Sequence, residues 1–220
     1  MSTIAIIGAG PGVGRAVARR FGREGFAVAL ISRSQDNADA LAGELTADGV
    51  TARGYAADVL DADGLTAALG AAAADLGPVS VLQYSPLPAR HYLRPVTETP
   101  AADILEAVRF SVLGPVAAVE AVLPGMREAG AGTVVLVNGG TSVRPRAEYA
   151  GTSIGFAGES AYVQMLHDAL EPAGIRVAQL VIPGAIRGDD PERGYDAVAD
   201  RIWGLHARPG EFREFLSPLD

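Results

Sequence analysis

Apolar and polar positions along the chain fall into two alternating registers. Continuous apolar runs occur at Ile4-Ala5-Ile6-Ile7 and Phe26 to Ile31, and shorter or interrupted strand-like runs at Thr51 to Ala56, Val79 to Tyr84, Thr133 to Val137 and Gly174 to Ile182. Runs of about four to eight such residues, bounded by turn signals, read as strands buried on both faces. Between them, apolar residues recur at helical spacing. Residues 15–23 are helix-permissive, 35–48 place Ala38, Leu41, Ala42 and Leu45 on one face, and the alanine-rich 61–76 stop at Gly77-Pro78. Three further helices are expected at Ala101 to Ala129, Thr152 to Glu171 and residues 191–206, and Glu211 to Leu216 suits a last edge strand. The long third-last helix contains Gly114-Pro115 and Pro124, and a proline at 115 should kink or break it. Ser85-Pro86-Leu87-Pro88 can only be loop, and Asn138-Gly139-Gly140-Thr141-Ser142 reads as loop.

Strands separated by helical segments, repeated to the last residue, mean parallel βαβ units wound on one sheet. The expected fold is α/β, a Rossmann fold with a doubly wound parallel sheet of about seven strands. No linker, low-complexity tract or internal repeat divides residues 1–220, so a single domain is expected.

Charge and composition narrow the partners. A formal net charge of −8 argues against nucleic acid. There is no cysteine, which excludes disulfides, thiol catalysis and cysteine-ligated metals, and no metal site is read from the sequence. The absence of a basic region before the first apolar run, and of any apolar stretch near the ~20 residues of a membrane helix, points to a cytoplasmic protein with no membrane partner. All 18 positive residues are arginine; the chain contains no lysine.

The chemistry begins where the first apolar run breaks into Gly8-Ala9-Gly10-Pro11-Gly12-Val13-Gly14. Strand, glycine turn and helix N-terminus together cradle a pyrophosphate, because free backbone N–H groups and the helix dipole both favour an anion there. The second strand ends at Ser32-Arg33, where an acidic residue would hold a ribose 2′-hydroxyl and an arginine favours a 2′-phosphate, so NADP(H) is expected over NAD. Past the third strand stands Asp58-Val59, whose carboxylate can accept from an adenine amino group or cap the helix beginning near Asp61.

Gly8-x3-Gly12-x-Gly14, Ser32-Arg33, Asp58-Val59, Val112-Leu113-Gly114-Pro115 and Gly174-Ile175-Arg176-Val177 running on to Pro183-Gly184-Ala185-Ile186 are together similar to the short-chain dehydrogenase/reductase family over nearly the whole chain. The resemblance implies NADP binding, with Ser85, Pro183, Gly184 and Ile186 joining the glycine turn, and a homodimer or homotetramer built through the long helices. It also implies catalysis by a serine, a tyrosine and a lysine, the last two spaced Tyr-x3-Lys, with an assisting asparagine. Counting back from Gly174-Ile175-Arg176-Val177, the tyrosine position falls on Thr152, the lysine on Phe156, the serine on Gly139 and the asparagine on Ser111. The loop that is usually Asn-Asn-Ala-Gly reads Tyr84-Ser85-Pro86-Leu87. A register error cannot restore a lysine that the sequence lacks.

The substitute acids are Tyr149, Thr152 and His91, of which only His91 titrates near neutral pH. His167 has core-compatible spacing and suits packing; His206 ends a helix, where a cation favours the dipole. Arg90-His91-Tyr92-Leu93-Arg94, Arg144 with Arg146, and Arg187 leave the same sheet edge and suit either an anionic small-molecule substrate or a solvated rim. The small residues Gly155, Ala157, Gly158 and Ala161 permit close helix contact, including pairing of two copies. Three functions follow: an NADP-dependent oxidoreductase with a non-standard active site; a cyclase, lyase or isomerase on the same scaffold; or an inactive NADP(H) sensor or partner-binding protein.

Overall fold

Thr3–Ile7 forms β1, every residue of it buried. The glycine turn leads to α1 (Val13–Arg23), followed by β2 (Ala27–Ser32), α2 (Gln35–Ala47), β3 (Ala52–Ala56), α3 (Ala62–Leu76) and β4 (Val79–Tyr84). The second half runs α4 (Ala101–Val108), α5 (Gly114–Ala129), β5 (Gly132–Gly139), α6 (Ala150–Leu170), β6 (Ile175–Ile182), α7 (Tyr195–Ala207) and β7 (Arg213–Phe215). The computed structural model describes residues 2–186, 188, 190–208 and 210–219. All strand pairings are parallel, in the order β3-β2-β1-β4-β5-β6-β7. The winding reverses between β1 and β4, and at such a switch point the flanking loops diverge and leave a crevice.

Both sheet faces are covered, as the unbroken apolar strands require. Alternation along β1 sends Ala5 and Ile7 to one cluster with Leu65, Leu69, Val119, Val122 and Val163, and Ile4 and Ile6 to another with Val17, Phe21, Leu41, Leu45 and Ile202.

The expected break at Gly114-Pro115 takes the form of a five-residue π turn, Arg109–Leu113, between α4 and α5. Pro115 offers no N–H to the carbonyl four residues back, and the wider turn absorbs the defect without parting the two helices. The Phe110 carbonyl accepts from the buried Tyr84 hydroxyl. Gly114 is needed for that approach, since a Cβ there would lie 2.5 Å from the Tyr84 oxygen.

The stretch 101–129 has a mean hydropathy of 1.5 in its most apolar part, long and apolar enough by composition to cross a membrane, contrary to the sequence reading. Half of that part is buried inside the protein, as in a core helix. Close helix contact through the small residues of α6 occurs within the chain: a Cβ on Gly155 would lie 2.8 Å from Ser111 Oγ, and one on Gly158 2.9 Å from Val112.

Three further details differ from expectation. β5 runs on through Asn138 and Gly139, read from the sequence as loop, because both continue the pairing with Val181 and Ile182 of β6, and Gly140–Ser142 form a short 3-10 turn. Helix α7 starts at Tyr195 instead of 191, because Asp190 Oδ1 accepts from the N–H groups of Glu192 (2.9 Å) and Arg193 (3.0 Å) in a turn. The cation at the end of α7 is Arg176, which donates to the carbonyls of Leu205, His206 and Arg208. Burial lowers the pKa of His206, and its Nδ1 meets Thr133 Oγ1 at 2.9 Å. His167 packs as expected, with Nδ1 2.9 Å from the Val177 carbonyl.

Candidate functional site

The glycine turn is anchored before any ligand is considered. Gly8 and Ala9 both donate to the Ile31 carbonyl, at 3.1 and 3.0 Å, which ties the turn to the end of β2. Gly8 has φ +88°, a conformation that L side chains rarely adopt, and a Cβ on it would lie 2.5 Å from Pro86 Cα. Gly14 lets α1 approach the turn, its Cβ position being 2.9 Å from Ala9 Cα. Gly10 is different: nothing lies within 4 Å of its Cβ position, and it faces open space.

That space is a cleft of about 420 Å³ at the switch point. Gly8, Gly10, Ser32, Arg33, Asp58 and Val59 line it together. Three segments separated in sequence thus converge at the carboxyl ends of β1, β2 and β3. The Asp58 alternatives are now distinguishable. Asp61 caps α3, accepting from Gly64 N at 3.1 Å, while Asp58 accepts from Leu60 N at 3.0 Å and faces the cleft with its remaining acceptor capacity.

The cleft is further lined by Pro86 to Arg90, Tyr92, Glu106 and Phe110; Arg90 and Tyr92 belong to the loop expected to meet an anionic substrate, whereas Glu106 and Phe110 carried no expectation. Glu106 and Phe110 are four apart across the α4 and π segments, the spacing that puts side chains on one helix face. The Glu106 carboxylate accepts from the Tyr92 hydroxyl at 2.8 Å and lies 3.0 Å from His91 Nε2. Burial first, and this hydrogen bond second, hold the Tyr92 phenol well above its ordinary pKa.

The remaining sequence candidates lie elsewhere. Pro11 is exposed, Val13 packs on the α1 side of the core, and Gly12 lies beneath the Tyr195 ring, whose Cε1 would be 2.9 Å from a Cβ there. Ser85 donates its N–H to the Ile7 carbonyl at 3.0 Å, and its hydroxyl accepts from the Gln83 amide. Pro183, Gly184 and Ile186 follow β6, with Ile186 packed on the α1 side of the sheet. Arg187 lies outside the described residues.

Tyr149, Thr152 and His91 do not line the cleft. Tyr149 precedes α6 with 38% exposure, under the Arg146 guanidinium at 5.6 Å from its ring. Thr152 is buried, and its hydroxyl donates to the Tyr149 carbonyl at 3.3 Å. The Phe156 ring would lie 3.6 Å from a Cβ on Gly139, so these two register positions are neighbours in space. One turn on, the carboxyl of Glu159 is wholly buried; desolvation raises its pKa well above the ordinary value, with the Asn138 amide opposing the rise. Among the arginines of the loops, Arg94 pairs with Asp103 at 2.8 Å and Arg146 with Glu148 at 3.8 Å.

Residues 2–192 match the family described as short chain dehydrogenase. Of the curated proteins, D-threitol dehydrogenase of Mycolicibacterium smegmatis is 34% identical over 130 residues, covering 59% of this chain and 49% of that protein. The 2-(S)-hydroxypropyl-CoM dehydrogenase 3 of Xanthobacter autotrophicus is 37% identical over 132 residues, covering 60% and 51%. The chain therefore spans about half the length of these curated relatives. The solved short-chain dehydrogenase from Rhodopseudomonas palustris is 26% identical, with a TM-score of 0.87 over 99% of this chain and 98% of that one. A metagenomic short-chain oxidoreductase in complex with NADP has a TM-score of 0.84 over 97% and 96% at 22% identity, a likeness of fold.

Proposed function

The chain belongs to the short-chain dehydrogenase family, and on that premise we propose that it is an NADP(H)-binding oxidoreductase with a non-standard active site. The observation that carries this reading is the convergence of the glycine turn, Ser32-Arg33 and Asp58-Val59 on one cleft at the switch point. The residues fit a dinucleotide: the open space over Gly10 is what a bound phosphate needs, and a side chain there would fill it. Backbone N–H groups of the turn would hold the pyrophosphate, Arg33 and Ser32 the 2′-phosphate, and Asp58 the adenine amino group. When bound, the nicotinamide supplies the hydride, which is the hard part of the chemistry.

What this chain adds at the reacting end is unusual for its family. The serine, tyrosine, lysine and asparagine positions carry Gly139, Thr152, Phe156 and Ser111. Phe156 is apolar, and the Thr152 hydroxyl is engaged by a backbone carbonyl. Tyr149 is the more exposed hydroxyl of the two and the better acid. This arrangement suits reduction of a carbon that needs little acid assistance, such as a conjugated or iminium carbon. The test is NADPH consumption with a panel of ketones, enones and imines, repeated with Tyr149→Phe and His91→Ala. Turnover of the enones or imines with a lower rate in Tyr149→Phe supports the reading; unchanged rates in both variants remove the two acids.

The burial of Phe156 and the engaged Thr152 hydroxyl favour one other reading, a protein that binds NADP(H) and turns nothing over. It predicts tight NADPH binding without consumption across the whole panel.

A further inference from the structure

The segment joining β6 to α7 folds on itself and reaches the glycine turn. Asp190 fixes it: besides the two N–H groups its side chain accepts, its carbonyl takes the Gly194 N–H at 2.7 Å, and Tyr195 N donates to the Gly188 carbonyl at 2.8 Å. The turn points Arg193 back at the end of β6 and lays Tyr195, two residues on, over Gly12. One guanidinium nitrogen of Arg193 donates to the Pro183 carbonyl at 2.6 Å and would lie 3.4 Å from a Cβ on Gly184. Its Nε is buried with no acceptor. Among the described residues, no carboxylate lies within ion-pair distance of it.

A guanidinium carries five donors in a planar fork, and a buried donor left unmade costs free energy. Arg193 therefore retains donors, one of them away from water, between the end of β6 and the turn that opens α1. Of the other arginines on α1, Arg23 stands at its far, C-terminal end, and the remaining three face carboxylates. Arg15 faces Glu44, Arg19 faces Asp48 and Arg20 faces Glu24 and Asp200. Arg33 lines the cleft with Ser32 and Asp58 at the ends of β2 and β3, whereas Arg193 stands outside that lining, beside the end of β6.

We propose that Arg193 is a phosphate-binding residue, taking the nicotinamide-side phosphate of the dinucleotide. The inference rests on the NADP(H) reading above and adds to it the cation that a chain without lysine brings to this end. Planar, bidentate donation to phosphate oxygens is what a guanidinium does best. The Asp190 turn presets its direction, so little ordering is left for binding.

The experiment compares NADPH with adenosine 2′,5′-bisphosphate, which has the adenosine end and lacks the nicotinamide-side phosphate. Both are titrated against the full chain, as wild type, Arg193→Gln and Arg193→Lys. Arg193→Gln should weaken NADPH roughly 10- to 100-fold and leave the bisphosphate within about twofold, with Arg193→Lys in between. Retained bisphosphate binding also shows that the variants are folded. Equal NADPH affinity in wild type and Arg193→Gln overturns the proposal, and so does an equal loss for both ligands. A wild-type chain that binds neither ligand overturns the underlying cofactor reading instead, and this proposal with it.

Discussion

Replacing Gly8 and Gly10 separately by alanine distinguishes a glycine that the fold needs from one that the ligand needs. In Gly8→Ala the new methyl would sit 2.5 Å from Pro86 Cα, 2.6 Å from Pro86 N and 2.8 Å from Ser85 C, where ordinary contact begins at 3.4 Å. The loop must withdraw by about 1 Å, yet Ser85 N is bonded to the Ile7 carbonyl, which resists. Overpacking costs about 1–3 kcal/mol, and alanine at positive φ about 1–2 kcal/mol more. A loss of roughly 2–5 kcal/mol should lower the unfolding temperature by about 5–20 °C in a chain of this size. Gly10→Ala meets nothing within 4 Å and carries no positive φ, so its stability should stay within about 0.5 kcal/mol of wild type. It should instead weaken NADPH at least about tenfold, because the methyl occupies the space over the turn. Urea unfolding followed by the fluorescence of Trp203, the single tryptophan, measures the first effect, and nicotinamide fluorescence the second. Wild-type stability in Gly8→Ala, or wild-type NADPH affinity in Gly10→Ala, would refute the reasoning.

Three other outcomes are expected. Arg33→Asp should weaken NADPH roughly 10- to 100-fold and leave NADH nearly unchanged in parallel titrations; equal losses would remove the 2′-phosphate contact. Glu159→Gln should show a pH-dependent gain. Burial raises the folded pKa of Glu159 above its ordinary 4.5, so the unfolded chain releases this proton first, and wild type loses stability as pH rises above about 4.5 toward the folded value. Urea unfolding should find the variant's advantage larger at pH 8 than at pH 5, and a constant difference would contradict it. Gly114→Ala should lose about 1–3 kcal/mol despite alanine's better helix propensity, since its methyl displaces Tyr84 from the Phe110 carbonyl; thermal unfolding at or above the wild-type temperature would contradict that.

The central strands were legible because burial on both faces leaves apolar runs such as Ile4 to Ile7 and Ala27 to Ile31, and the glycine turn because few residues other than glycine survive where Gly8 sits. Counting back from Gly174 to Val177 singled out Phe156 and Gly139 by position alone, and the fold brings these two together. What stayed hidden depends on partners far along the chain. Asp58 and Asp61 are equivalent in sequence, and only the path of α3 gives the cap to Asp61. Phe110 reaches the cleft beside Glu106 of α4 through a π turn that no local pattern announces. The loop arginines looked like one basic patch, but Asp103 and Glu148 stand beside two of them. Tyr195 covers Gly12 only because the Asp190 turn delays α7.

Everything proposed above depends on NADP(H) occupying the cleft over Gly8 and Gly10. Titrating the wild-type chain with NADPH and with NADH, and following nicotinamide fluorescence, tests it most directly. NADPH should bind saturably, at least about tenfold tighter than NADH because of Arg33. Binding of neither, or tighter binding of NADH, would contradict it.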